Sequence, residues 1–404
     1  MIQKLRSFDF ILIVTPILLA AFGVLMIYSA SMVTAVVAGF ESTHYMVRQL
    51  VSFGLGLIGF FLCSFFPYRH YQKIIKVLVI GSIILLAGVL LYGVTENNAV
   101  RSIHILSFNL QPVEFVKLVI ILYLASVYSK KQSYINDFSK GVLPPLMLTC
   151  IMLALIFFQP DIGTSAIVFL IATTIFLCSG IRMRHVLVLL GVGVTLLALA
   201  IPSMVTDVRI GRFIGAYQPF TQPDGSGQHL IQSYLAIGGG GFTGEGLGQS
   251  VQKLGYLWGA HTDFIMAIIA EELGIIGVVI VIGLLSTIVL RGFYIARTCK
   301  NSFGSLLAIG ISAMIGIQSA INLGAISGLL PITGVPLPFI SYGGSSLLAI
   351  MISMGILNNV AREVKKQELR PVPVRTPENI EHTSAEQRVW NKPSKQRGGR
   401  TWNM

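Results

Sequence analysis

The chain has 404 residues, of which 54% are hydrophobic and only 11% charged, with a formal net charge of +12. That balance excludes a soluble globular domain and describes a polytopic membrane protein. The positive excess does not imply nucleic acid, because it falls mainly in short segments between apolar runs and in a basic C-terminal tail.

About ten apolar runs approach the ~20 residues that cross a bilayer. They lie near 10–32, 46–66, 74–95, 111–128, 142–158, 163–180, 185–203, 264–290, 304–327 and 342–361. The first is too long for a signal-peptide core, and no small-residue cleavage pattern follows Ser29-Ala30-Ser31, so it is expected to stay as an anchor. The fifth and sixth are short and joined by Gln159-Pro160-Asp161. The expected fold is therefore all-α, with about ten transmembrane helices and a large loop at 203–263 between helices seven and eight. With the N-terminus inside, the inner segments hold 23 of the 29 Lys and Arg residues. The outer segments hold Arg48, Arg101, Arg209, Arg212 and Lys253, while Lys117 lies within a span. This asymmetry predicts cytoplasmic termini and an extracytoplasmic 203–263 insert.

The membrane domain is expected over 1–362. From 363 to 404 the chain turns polar and charged, with Pro371, Pro373 and Pro377, and is expected to be a disordered basic cytoplasmic tail near anionic headgroups. Cys63, Cys150, Cys178 and Cys299 lie in or beside spans without Cys-x-x-Cys spacing, so they read as small buried apolar residues with no disulfide.

The insert is the one long polar stretch, and a loop of that size in so apolar a chain points to binding or chemistry. Arg209 to Pro219 is basic and partly aromatic, 220–228 is rich in Pro and Gly, and 229–250 carries Gly238-Gly239-Gly240-Gly241 and Gly244-x-Gly246-x-Gly248. No Lys-Ser or Lys-Thr follows the glycines, which argues against a nucleotide P-loop. They suit tight turns and close approach of the backbone to a partner or ligand.

Ionisable residues inside spans cost roughly 2.5–3.5 kcal/mol each on insertion scales, so they are functional candidates by default. Glu114 and Lys117 stand at i, i+3 on one face of the fourth span. They fit a structural ion pair and a substrate-binding cation equally well. Asp161 fits a broken helix lining a water-filled cavity, and it also fits a helix cap. The stretch 331–346, with Pro331, Pro336 and Pro338 and the aromatics Phe339 and Tyr342, reads as a shaped lip over a cavity. Thr262 can cap the eighth span, which would put Asp263 in a first turn that favours a carboxylate. The same dipole would keep Asp263 ionised, as a general base must be. Glu271 and Glu272 follow ~12–14 Å further along the helix and read as buried packing residues. His229 and His261 have no third ligand, there is no His-Glu-x-x-His, and no Gly-x-Ser-x-Gly elbow is present.

Several blocks stand in a specific order. They are Gln111-Pro112-x-Glu114-Phe115-x-Lys117, Gln159-Pro160-Asp161-x-Gly163-Thr164, Gly244-x-Gly246-Leu247-Gly248-x-Ser250-x-Gln252-Lys253, Ala260-His261-Thr262-Asp263-Phe264-Ile265, Pro331-x-Thr333-Gly334-x-Pro336-Leu337-Pro338-Phe339 and Ser341-Tyr342-Gly343-Gly344-Ser345-Ser346. Over roughly residues 5–362 the chain resembles the shape, elongation, division and sporulation (SEDS) family of peptidoglycan polymerases. The resemblance implies a ten-helix bundle with a large loop between helices seven and eight, which the charge count gives independently. It also implies glycosyl transfer from a lipid-linked donor, polymerising lipid II into glycan strands. The family's essential aspartate corresponds to Asp263. Arg101, Lys117 and Glu114 match its motif positions, and Arg212 matches a loop arginine. Ser102 after Arg101, where an aromatic is common, and Trp258-Gly259-Ala260, where Pro-Glu is common, are local departures. The basic tail suits the division branch better than the elongation branch.

On that resemblance Asp263 is the expected base and the products are an inverted linkage and undecaprenyl pyrophosphate. Lys117, Glu114, Arg101, Arg212, Arg48, Asp161 and Lys253 are the expected substrate-binding residues. A divalent cation, Mg or Mn, is compatible with this chemistry, but the sequence offers no dedicated cage. The implied partners are lipid II, the undecaprenyl-pyrophosphate-linked glycan, a class B penicillin-binding transpeptidase and other divisome proteins, in the bacterial cell membrane at the septum. A lipid II flippase and a non-catalytic divisome scaffold are the alternatives. Lipid movement with polymerisation blocked would mark the first, and normal division by Asp263→Asn cells the second.

Overall fold

The computed structural model describes residues 8–368, apart from 97–98, 106–107, 133–134, 136, 188–190 and 192–206. The predicted run at 185–203 and the tail beyond Glu368 therefore lie largely or wholly outside the described residues. In chain order the helices are α1 (Phe10–Val37), α2 (His44–Phe65), α3 (Tyr71–Tyr92), α4 (Pro112–Lys130), α5 (Leu143–Phe157), α6 (Ile162–Cys178), α7 (Asp207–Tyr217), α8 (Gln228–Gly239), α9 (Ile265–Thr298), α10 (Ser302–Ile326) and α11 (Gly344–Glu368). Among the described residues eight helices are long and apolar enough to cross a membrane, with α6 a shorter apolar helix. Nine of the ten expected runs are thus helical. The first compact unit ends at Val364.

The helices pack as membrane helices do, through small and polar residues, since lipid supplies no hydrophobic force between them. Gly355 of α11 lies against the Phe60 backbone of α2, and Gly310 of α10 lies against Ile121 of α4. Asn359 donates to the Ser64 carbonyl (2.7 Å) and accepts from the Tyr68 amide (2.9 Å). Asp9 caps α1 and receives Arg291 Nε and Nη2 at 2.9 and 2.8 Å, which ties α1 to α9. All four cysteines are free, but Cys150 and Cys178 are exposed and Cys63 and Cys299 half-buried, against the expectation of burial. Lipid-facing and core positions are equally apolar in such a chain, so hydropathy cannot separate them.

Two local features were not anticipated within the all-α fold. A small antiparallel sheet, β1 (Val94–Glu96), β2 (Ala99–Ile105) and β3 (Phe108–Leu110), joins α3 to α4 and carries Arg101 on its middle strand. The insert also contains the helices α7 and α8, with short 3-10 turns at Pro219–Thr221 and Gln252–Leu254.

The longest helix, α9, is broken at Gly274 (φ 65°, ψ −163°). A break frees backbone groups that lipid cannot satisfy. Here the insert satisfies them: Glu245 N donates to the Glu271 carbonyl (2.9 Å), Gly246 N to the Glu272 carbonyl (3.0 Å), and Ile275 N to the Gly241 carbonyl (3.0 Å). A Cβ on Gly274 would lie 2.5 Å from Gly244 N, and one on Gly240 would strike the Ala270 carbonyl. The expected close approach of the glycine run is therefore to the chain's own broken helix.

Candidate active site

Asp263 lies in a turn just before α9. Thr262 N and Phe264 N both donate to the Gly259 carbonyl, at 3.0 and 3.2 Å, and Gly259 takes φ 73°. The helix proper starts at Ile265, with Phe264 at the N-cap and no side-chain cap bond. Thr262 is therefore not the cap, and Asp263 lies outside the first turn. The reason is that the Thr262 hydroxyl bonds back to the Gly259 carbonyl (3.2 Å) and closes the preceding turn instead.

The turn is fastened from three sides through its carbonyls. Tyr342 N donates to His261 O (2.9 Å), Ser341 Oγ to Thr262 O (2.7 Å) and Asn322 Nδ2 to Asp263 O (2.8 Å). The half-buried Asp263 side chain is thereby carried on a backbone with little freedom. Asn322 Nδ2 also donates to the Val335 carbonyl (2.8 Å). One helical turn earlier on α10, Gln318 donates to the Pro336 carbonyl (3.0 Å) and accepts from Lys117 Nζ (2.8 Å). Lys117 Nζ in turn pairs with Glu114 Oε1 at 2.9 Å. Glu114 and Lys117 on α4 thus reach Gln318, and Gln318 and Asn322 on α10 hold the adjacent Pro336 and Val335 carbonyls, with Asn322 also holding the Asp263 carbonyl.

The segment 331–343, read as a lip over a cavity, is packed into the protein. Leu337, Phe339, Ile340 and Ser341 are buried, and a Cβ on Gly163 of α6 would crowd Thr333. Ser341 Oγ accepts from Leu337 N (2.7 Å), while Gln49 of α2 donates to Ser341 O (3.3 Å) and accepts from Gly343 N (3.2 Å). Its prolines leave no backbone donors to satisfy at three positions, so it can fold inward and brace the Asp263 turn.

Lys117 and Glu114 are both buried, and Glu114 Oε2 has no hydrogen-bond partner. Arg48, beside Gln49 on α2, is exposed, and Arg212 on α7 is half-buried. Asp161 is the N-cap of α6, accepting from Thr164 N (3.2 Å) and Thr164 Oγ1 (2.7 Å), which is the capping alternative. Lys253 points into the protein, where it pairs with Glu272 at 2.7 Å. His261 packs against the Tyr45 ring at 4.8 Å, and burial pushes its pKa down to about 4. Burial also lowers the pKa of His229, which stacks on Phe264. Among the described residues no group of three His, Cys, Asp or Glu side chains could hold a metal ion.

Sequence reading passed over Gln318, Asn322 and Gln49, and named Ser341 only within a motif block. Their one signal was polarity inside apolar runs, with Gln318 and Asn322 at i, i+4 on a single face.

The fold and site together define a polytopic helical membrane protein whose insert is laced to a buried, charged helix bundle. The model for the FtsW, RodA and SpoVE family, described as cell cycle protein, matches residues 9–366. The chain is 49% identical over 376 residues to the probable peptidoglycan glycosyltransferase FtsW of Bacillus subtilis (strain 168), covering 91% of this chain and 93% of that one. It is 39% identical over 368 residues to stage V sporulation protein E of the same organism, covering 90% and 99%. Among solved structures it is similar to a chain described under structural coordination of polymerization and crosslinking by a peptidoglycan synthase complex. The TM-score is 0.72 and the identity 29%, covering 88% of this chain and 98% of that one. The chain belongs to the FtsW/RodA/SpoVE family.

Proposed function

We propose that this chain is an inverting glycosyltransferase that polymerises lipid II into glycan strands for septal wall synthesis. The observation that carries the reading is that α10 holds both the buried Lys117 cation, through Gln318, and the braced backbone of Asp263, through Asn322, with both residues bonded to the Val335–Pro336 stretch. Asp263, as general base, takes the proton from the 4-hydroxyl of the GlcNAc on the acceptor lipid II. That oxygen attacks the anomeric carbon of MurNAc on the growing strand as the bond to undecaprenyl pyrophosphate breaks. One carboxylate suffices, because pyrophosphate leaves without the protonation that glycoside hydrolysis requires.

Lys117 supplies positive potential toward the leaving pyrophosphate, and Glu114 and Gln318 hold its ammonium in register. Arg48, Arg101 and Arg212 are the proposed outer phosphate ligands. Among the described residues no set of donors forms a metal cage. The Lys and Arg asymmetry supports cytoplasmic termini and an extracytoplasmic Asp263. The partner reading is a class B penicillin-binding transpeptidase in the divisome. It is supported by the likeness to a chain of a peptidoglycan synthase complex that couples polymerization to crosslinking.

The test is purified protein with its transpeptidase partner, given lipid II while crosslinking is blocked by a β-lactam. Glycan strands with β-configured MurNAc linkages are expected. An α-linked product, or lipid II crossing vesicles without polymer, would overturn the reading.

A further inference from the structure

The residues flanking the candidate base meet again in the protein interior. Lys253, ten residues before Asp263, and Glu272, nine residues after it, form a 2.7 Å ion pair with both side chains buried. Ser29 of α1 keys into the pair: its hydroxyl lies 2.6 and 2.8 Å from the two Glu272 oxygens, to which it donates, and it accepts from Lys253 Nζ at 3.0 Å. The neighbouring Glu271 carboxylate accepts from Val251 N (2.8 Å), Gln252 N (3.4 Å) and the Ser250 hydroxyl. The segment 253–272 is thus closed at its base by side chains, with Asp263 at its midpoint.

A buried ion pair is a poor device for stability alone, since apolar residues of the same volume would serve as well or better. What it adds is register: a Lys and a Glu with a shared hydroxyl accept only one alignment of three segments. Fixing a segment at both ends also reduces the conformations its centre can visit. Bond-forming chemistry is sensitive to that, because a displacement of about 1 Å at the reacting groups costs on the order of 100-fold in rate.

We propose that the Lys253–Glu272 pair, keyed to α1 by Ser29, is a staple that positions Asp263 for proton abstraction, and that Lys253 does not touch substrate. The inference rests on Asp263 being the base. Lys253, Glu272 and Ser29 bond to one another and act on Asp263 through the segment that carries it.

The experiment uses the full-length chain in complex with its transpeptidase, titrated with lipid II, with hydrogen exchange followed over 255–264. Lys253→Met is expected to lower kcat by about 10- to 100-fold, to leave KM within about twofold, and to speed exchange in that segment. Ser29→Ala, which keeps the ion pair, should move kcat and exchange the same way by less, and it decides the matter if Lys253→Met does not fold. A raised KM with kcat retained would make Lys253 a substrate ligand and overturn the staple. Wild-type kcat and exchange in Ser29→Ala, or in a folded Lys253→Met, would overturn it too. The exchange readout needs no activity, so a polymerising Asp263→Asn protein would remove the base assignment while leaving the staple measurable.

Discussion

Lys117 is the residue on which packing and function are hardest to separate. Its ammonium is buried against Glu114 and Gln318, so removing it leaves a carboxylate in the interior without its cation. Breaking such a pair costs about 3–5 kcal/mol, whereas neutralising both partners costs far less. Lys117→Met is therefore expected to lower the thermal midpoint in detergent, and Lys117→Met with Glu114→Gln to recover most of it. Lipid II turnover should stay low in both proteins. Recovery of turnover in the double variant would make the pair a packing feature only. His261 gives a second prediction. Its pKa falls from 6.5 to about 4 on folding because burial disfavours the imidazolium. Between these values the unfolded chain binds more protons than the folded one. Its contribution is thus complete above about pH 6.5 and is lost as the pH falls toward 4. Thermal midpoints measured across that window should drop on acidification, and His261→Gln should flatten that slope.

At the scale of elements, α9 and α10 carry the design. Gly274 breaks α9 with a positive φ, and a Cβ there would meet the Gly244 amide at 2.5 Å, whereas Gly283 on the same helix has open space. Gly274→Ala is expected to destabilise by at least about 1–3 kcal/mol, while Gly283→Ala should be neutral or slightly stabilising. Parallel unfolding of the two variants checks this, and equal effects would mean that the break is not held by the insert. On α10, Asn322→Ala removes the donor to the part-buried Asp263 and buried Val335 carbonyls, and orphaning the buried acceptor costs about 1–3 kcal/mol. Its expected kinetic signature is a fall in kcat with lipid II affinity retained.

Across the whole molecule, what was legible in the sequence was what hydropathy and charge encode locally. Among the described residues nine of the ten apolar runs are helices, and the i, i+3 spacing of Glu114 and Lys117 became a 2.9 Å pair. What was hidden depends on contacts between distant segments. Ser29 and Glu272 are 243 residues apart and nothing in either neighbourhood announces the other. The helix break at Gly274 reads as ordinary apolar sequence, because the groups that satisfy it lie in the insert. The shaped lip read at 331–346 could not be given its inward contacts for the same reason, since they depend on distant partners such as Gln49 and Gln318.

In the proposed mechanism glycosyl transfer starts with proton abstraction by Asp263. Its most direct measurement is the single-turnover rate of lipid II polymerisation by purified Asp263→Asn protein in the transpeptidase complex, alongside its lipid II affinity and thermal midpoint. The expected result is loss of polymer, by at least about 100-fold, with affinity and midpoint close to those of the unaltered chain. Polymer formed at the unaltered rate by the folded Asp263→Asn protein would contradict the account.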